Sequence, residues 1–417
     1  MYKTLFIVGW VLSLLIAILY TYENSEKLDV IKNRLKKNFT PDVKIDKEAP
    51  YTIIANSFHV KLSKVISLSE KTAFIIHDEN ILNFDKKALK IFTQNGYLIK
   101  NLKPEKLNLP KNFTLEKNGG VKTVFFHKGN KFALISSLKN KCFYSSIVSL
   151  RDGKELFETK CLPGRKEEID YNGLGSSNIH YNNYIYLSVG APEQISLEIA
   201  QLAQESDSMF GKILEINKND LDKIINNEEN KLSVKIFSKG HRNPQGFTKI
   251  KESFFSVEHG PRGGDELNKI IKDKNYGWPI TSYGEKYLFD EQKKSYEKSH
   301  EDQKFEEPLF ALVPSVGISA LNKCPRILEN YYKKPCLLAL SLYGNSLRPG
   351  KSIIIYLLNK KMDKVHSVEK IFLRDDLKLR HFVTNSKNEL YEDKNGNIFV
   401  SADKNGIYKL NFASFRN

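Results

Sequence analysis

The chain has 417 residues, enough for one large or two medium domains, and its 41% hydrophobic and 27% charged content is that of an ordinary globular protein. The 65 Lys and Arg against 49 Asp and Glu give a formal net charge of +16. No basic patch interleaved with aromatic residues stands out, so nucleic acid is not expected as a partner, and the surplus lysine reads as solubility.

The first predicted element is an apolar run from Leu5 to Tyr20, interrupted only by Gly9 and Ser13. At about 1.5 Å per residue it is just long enough to cross a bilayer. Lys3 precedes it and acidic residues follow, which places the N-terminus in the cytoplasm and the remainder in the periplasm or cell exterior. The run leaves through Tyr20-Thr21-Tyr22-Glu23, without the small residues of a cleavage site, so an uncleaved anchor is favoured over a removed signal. Residues 1–22 are read as the membrane anchor. Residues 23–45, charged and without β pattern, are read as a juxtamembrane tether or helix, and 46–417 as the folded domain.

From Tyr51 onward short β-rich runs alternate with turns. Examples are Thr72-Ala73-Phe74-Ile75-Ile76, Val121 to Phe126, Phe132 to Ile135, Tyr184 to Val189, Lys212 to Ile216, Ser253 to Val257 and Asn397 to Val400. Asp152-Gly153 and Asn395-Gly396 are turn pairs. Ile195 to Gln204 reads as a helical insertion. Many short strands with regular turns indicate an all-β sandwich, barrel or propeller, and about 370 residues are too many for one sandwich. Cys142 and Cys161 stand near the open ends of a hairpin that turns at Asp152-Gly153, while Cys324 and Cys336 are twelve positions apart. An even count in an exported chain predicts the pairs 142–161 and 324–336, with buried free thiols as the alternative. No GxSxG, Walker loop or dinucleotide fingerprint occurs, which disfavours a serine hydrolase or an NAD enzyme.

The densest polar text is Gly240-His241-Arg242-Asn243-Pro244-Gln245-Gly246. It is followed by His259-Gly260-Pro261-Arg262-Gly263-Gly264-Asp265-Glu266-Leu267-Asn268 and Asn275-Tyr276-Gly277-Trp278-Pro279. This block, with Ala203-Gln204 and Gly211-Lys212-Ile213-Leu214 before it, resembles the aldose sugar dehydrogenases that use pyrroloquinoline quinone (PQQ), the glucose/sorbosone dehydrogenase family. The resemblance covers roughly residues 120 to 410. It implies a six-bladed β-propeller whose central site takes PQQ, calcium and a small sugar. On matching positions, Arg242 and Asn243 contact cofactor or sugar. Gln245, His259, Lys378 and Arg380 join them around the cofactor, and the carbonyls of Gly260 and Pro261 hold calcium. The chemistry suits these residue types, because PQQ carries three carboxylates and an ortho-quinone, for which arginine offers forked donors. Calcium takes carbonyl and carboxylate oxygens. Asp265, Glu266 and Trp278 are expected to be structural. The alternative for Arg242 is an ion pair with Glu258 or Asp265 beside a tight turn at Pro244–Gly246.

The chain also departs from the family pattern. Where relatives carry the His that accepts the sugar hydroxyl proton, the register places Asn172, and an amide is no useful base near neutral pH. Ser176 and Ala191 replace an Arg and an Asp. His180 lies on the wrong side of Gly175 and reads as a strand-edge residue. The region Leu312 to Ser319 lacks the aromatic that stacks on the cofactor, and Tyr343 stands where Lys or Gln is usual. Two readings follow. One is a membrane-tethered periplasmic dehydrogenase that oxidises the C1 hydroxyl of an aldose and recruits its base from elsewhere. The other is a propeller that binds a glycan or a protein and turns over weakly or not at all. The electron acceptor is not readable.

Overall fold

The computed structural model describes residues 40–417 except 47, 56, 79–80, 82, 194–195, 287–295, 344–350, 374–375, 414 and 416–417. The expected anchor at 1–22, and the tether up to 39, lie outside the described residues. Among the described residues no helix is long and apolar enough to cross a membrane.

Six antiparallel sheets follow one another in the chain, as expected for a six-bladed propeller. The first five blades each take four consecutive strands, and their innermost strands are Thr72–Ile76, Val121–His127, Asn178–Tyr181, Pro244–Ile250 and Ile318–Lys323. The sixth takes Leu379–Phe382, Ile398–Ala402 and Gly406–Ala413, and is completed by His59–Leu68 from the other end of the chain. That pairing, from Gly406 opposite Ser67 to Ala413 opposite His59, closes the ring without a covalent link. Val43–Ile45 also pairs with His59–Leu68, with Val43 opposite Leu68. The folded body therefore begins inside the stretch read as tether, because those three residues gain ladder hydrogen bonds on an otherwise open strand edge.

Blades pack face to face, so a middle strand is buried on both sides and its sequence loses the alternation of a half-buried strand. Ser352–Leu358, reading SIIIYLL, is buried at every position, as is Cys336–Ser341. One apolar layer joins the second and third blades through Phe132, Leu134, Ile147, Ile185 and Leu187. Another joins the fourth and fifth through Phe255, Val257, Leu337 and Ile354. Each such side chain contributes roughly 1.5–3 kcal/mol of transfer free energy. Both cysteine pairs are bonded, with Cα separations of 5.3 Å for Cys142–Cys161 and 5.4 Å for Cys324–Cys336. The insertion predicted at 195–204 forms the helix Leu197–Gln201, capped by the Ser196 hydroxyl.

Ile76 bridges Thr384 in parallel, so the inner edge of the first blade runs in the same direction as that of the sixth. The segments that lead into the inner strands collect at one mouth of a narrow polar channel. Thr123, Ser176, Gln245, Asn322 and His381 line that channel.

Candidate active site

Arg242 and Asn243 lie in the loop that leads into Pro244–Ile250, and that loop is fixed from below. The buried His241 bonds Ser238 Oγ through Nε2 (2.8 Å) and Glu258 Oε1 through Nδ1 (2.7 Å). Glu258 also accepts the Arg242 backbone N–H (3.1 Å) and Asn268 Nδ2 (3.1 Å). Burial opposes the Glu258 charge, but His241 and these donors outweigh it and hold the carboxyl below its ordinary value.

The Arg242 side chain turns to neither carboxylate that the alternative reading named. Its Nη1 donates to His259 O (3.2 Å) and Gly260 O (2.9 Å), and Nε lies 3.5 Å from Glu193 Oε1. Its guanidinium stands 5.1 Å from the centre of the Trp278 ring. Trp278 is a buried packing residue among Ala200, Ala203 and Tyr296, as expected, and is also the floor under Arg242. Pro244–Gly246 is the start of a strand rather than a tight turn.

Asn243 ties two blades together. Its Oδ1 accepts from Gly175 N–H (2.8 Å) and Gln245 Nε2 (2.8 Å), and its Nδ2 donates to Asn172 O (3.2 Å). Gly175 is glycine for a packing reason, since an added Cβ would come within 2.2 Å of Asn243 Oδ1. Asn172 thus stands beside Asn243, brought there by its carbonyl. Its exposed side chain turns to Asp170 (Nδ2 to Oδ2, 3.4 Å). His180 sits in the strand Asn178–Tyr181, where burial above all, and then Lys218, pushes it down to about 3.

His259 donates its backbone N–H to Asn243 O (3.1 Å), and its buried Nε2 has no hydrogen-bond partner among the described residues. Gly260 N–H donates to Asp265 Oδ1 (3.1 Å), while Asp265 Oδ2 accepts from the N–H groups of Val316 and Ile318 (2.9 and 3.1 Å). Asp265 is therefore the organiser of two loops. Burial first, and nearby Glu258 second, push Glu266 up to about 8. Pro261 packs beside Gly284.

The later blades supply the rest of the mouth. Arg380 pairs with Asp403 through Nε and Nη2, and Lys378, exposed, holds its ammonium 5.9 Å from the centre of the Tyr343 ring. Tyr343 is 57% exposed, stands edge-on to His259 at 6.4 Å and leans on Gly317. Gly317 has φ 63°, and a Cβ there would meet the Tyr343 ring at 2.0 Å. Val313, at the position that lacks the family aromatic, is 65% exposed. Tyr343 thus offers an exposed ring where the sequence had suggested none.

Sequence reasoning missed two cations, Lys71 and Lys122. Each flanks the start of an inner strand, a signal readable only once the strand order is known. Burial lowers Lys71, and Arg380, Lys404 and Lys378 lower it further, with Asp403 opposing. Lys122 is brought down to about 7, by burial first, with Asp170 opposing and Arg380 and Lys71 adding to the shift. Arg380 and Arg242 also act on His259, which burial lowers most and Asp265 raises. Arg380, itself held charged by Asp403, thus adds to the lowering of both lysines, and an anion placed beside them would offset that effect. For calcium the donor set is poor. Gly260 O already accepts from Arg242, and no group of three or more His, Cys, Asp or Glu that could hold a metal ion occurs among the described residues.

A family model described as Glucose / Sorbosone dehydrogenase matches residues 141–405, more than half of the chain. The Escherichia coli aldose sugar dehydrogenase YliI is 34% identical over 110 residues, which are 25% of this chain and 28% of that protein. Quinoprotein glucose dehydrogenase B of Acinetobacter calcoaceticus is 28% identical over 137 residues, 32% of this chain and 28% of that one. These matches span little more than a quarter of each relative's length. A solved glucose dehydrogenase superposes with a TM-score of 0.63 at 20% identity, over 85% of this chain and 99% of the other, a likeness of fold.

Proposed function

Because the chain belongs to the glucose/sorbosone dehydrogenase family, we propose that it is a quinoprotein that oxidises the C1 hydroxyl of an aldose. The observation that carries this reading is the positive mouth itself. Lys71, Lys122, Lys378 and Arg380 stand near one another at the inner-strand starts of the first, second and sixth blades, and Lys378 faces the exposed Tyr343 ring. A planar molecule with three carboxylates and an ortho-quinone fits such a mouth. Its anionic groups would meet Lys71, Arg380 and Lys378, its face the Tyr343 ring, and one polar atom the unpartnered His259 Nε2. When bound, the quinone supplies the acceptor for a hydride from the sugar carbon. Arg242 would meet the edge of the quinone and, with Asn243, orient the sugar and exclude water from that side. Calcium at the Gly260 and Pro261 carbonyls would sit beside the Arg242 guanidinium, a neighbouring positive charge, so no step is assigned to a metal. The domain is proposed to face the periplasm or cell exterior from an N-terminal membrane anchor, a setting in which two disulfides persist.

The test is turnover. Protein loaded with PQQ should oxidise an aldose in the presence of an artificial electron acceptor, and Arg242→Ala should abolish it. Failure of every aldose under saturating PQQ would leave the second reading, a propeller that binds a glycan or a protein without turnover. One observation favours that second reading: residue 172 is an amide whose side chain turns to Asp170.

A further inference from the structure

Lys122 opens the inner strand Val121–His127 and reaches sideways to the next blade. Its Nζ lies 2.7 Å from Tyr171 O and 2.9 Å from Asn118 O. Tyr171 O belongs to the peptide that leads into Asn172, and Asn172 O accepts from Asn243. The amine is therefore one peptide from Asn172, on the rim that carries Asn243 and Arg242.

The valence count of this amine is specific. A neutral lysine has two N–H bonds and one lone pair, while an ammonium has three N–H bonds. Two carbonyls take two N–H bonds in either state. The third position alternates between a lone pair and an N–H, so a proton can arrive there without either loop contact breaking. The charged and titratable groups that face Lys122 are Asp170, Arg380, Lys71 and Tyr171, whose ring centre is 6.0 Å away. Asp170 is engaged, with Oδ1 accepting from Asn118 Nδ2 (3.0 Å) and Asn172 N–H (2.9 Å).

Resting on the dehydrogenase reading above, we infer that Lys122 is the proton acceptor for the sugar C1 hydroxyl, the role that the Asn172 amide cannot fill. The Nζ lone pair takes the hydroxyl proton. The O–H electron pair would become the second C1–O bond, giving the lactone, and a bound ortho-quinone would supply the acceptor for the C1 hydrogen and its electron pair. The proton on Lys122 passes to solvent. With its titration near 7, Lys122 is neutral and competent above that pH and protonated below it.

Two measurements test this. The first needs no cofactor: competitive acetylation of the ligand-free protein between about pH 5.5 and about pH 10, read peptide by peptide by mass spectrometry. Lys122 should acquire reactivity with a midpoint near 7, and a midpoint near that of exposed lysines, about 10.4, would overturn the inference. The second uses Lys122→Arg, which keeps N–H donors for both carbonyls but stays charged. In the PQQ-loaded wild type, kcat/KM should rise with pH along one limb, with a midpoint above that of the ligand-free amine because the bound carboxylates offset Arg380 and Lys71. In the variant it should drop by about 10²–10⁴-fold and lose that limb. A purely structural lysine would leave the limb in place. A wild type that turns over beside a variant with the limb unchanged overturns the Lys122 assignment alone. Absence of quinone uptake and of turnover in the wild type overturns the dehydrogenase reading and the assignment with it.

Discussion

Arg242 Nη1 and Gly260 O are 2.9 Å apart, eighteen residues from each other in sequence. One guanidinium joins the loop before Pro244–Ile250 to the loop after Ser253–Glu258, using two carbonyls and the neighbouring Glu193. Arg242→Lys keeps a charge but loses the planar fork. We expect it to cost about 1–3 kcal/mol of stability, measured by urea unfolding, because a carbonyl loses its donor in a buried site. PQQ affinity should fall by roughly tenfold or more.

Gly175 and Asn243 form a second interlock. Gly175→Ala places a methyl 2.2 Å from Asn243 Oδ1 and must push the amide off Gly175 N–H and Asn172 O. The expected destabilisation is about 1–3 kcal/mol. Asn243→Ala removes the same bonds without the clash, so the double variant should be less destabilised than the sum of the two single ones. Additive effects would show that the two residues act independently.

Stability should fall in acid through two histidines. Burial above all holds His180 and His381 down to about 3, with Lys218 adding to the first and Arg380 to the second. Both are neutral in the fold, whereas in the unfolded chain they take protons near 6.5. Between about 6.5 and 3 the unfolded state binds more protons, so stability is lost as pH falls, by up to about 1.4 kcal/mol per unit for each group. Glu266 titrates the other way. Pushed up to about 8, it contributes stability below its unfolded value that is lost as pH rises towards 8. Urea midpoints measured at several pH values should show His381→Gln with about half the acid slope that wild type owes to these histidines.

The Cys142–Cys161 bond spans 19 positions of chain. In the loop-entropy view it stabilises by about 3 kcal/mol, so the Cys142→Ser/Cys161→Ser variant should unfold at correspondingly lower urea. An unchanged midpoint would mean that the hairpin holds itself without the bond.

Much of this was legible in the sequence, for identifiable reasons. Hairpin strands and the cysteine pairs are local, so the turn at Asp152-Gly153 and the spacing around it sufficed. The Arg242–Asn243 and His259–Gly260 block was visible because polar and turn residues crowd there without periodicity. Ring closure was not legible, since His59–Leu68 pairs with Gly406–Ala413 across nearly the whole chain. Nor was the partner of Arg242. Glu258 is near in sequence but holds His241, whereas Glu193 arrives from another blade. Lys71 and Lys122 read as ordinary surface residues in a lysine-rich chain, and Tyr343 read only as a departure from the family's Lys or Gln. Their meaning depends on six strand starts converging at one mouth.

The most direct measurement is uptake of PQQ by the purified ligand-free protein, followed as a bound-quinone absorbance band in a titration at fixed pH and salt. We expect saturable binding near one equivalent per chain, weakened by Arg242→Ala and by Lys378→Ala, and weakened by added salt because cations recognise the carboxylates. No saturable band in the wild type, or a band indifferent to those substitutions and to salt, would contradict the assignment of this mouth as a quinone site.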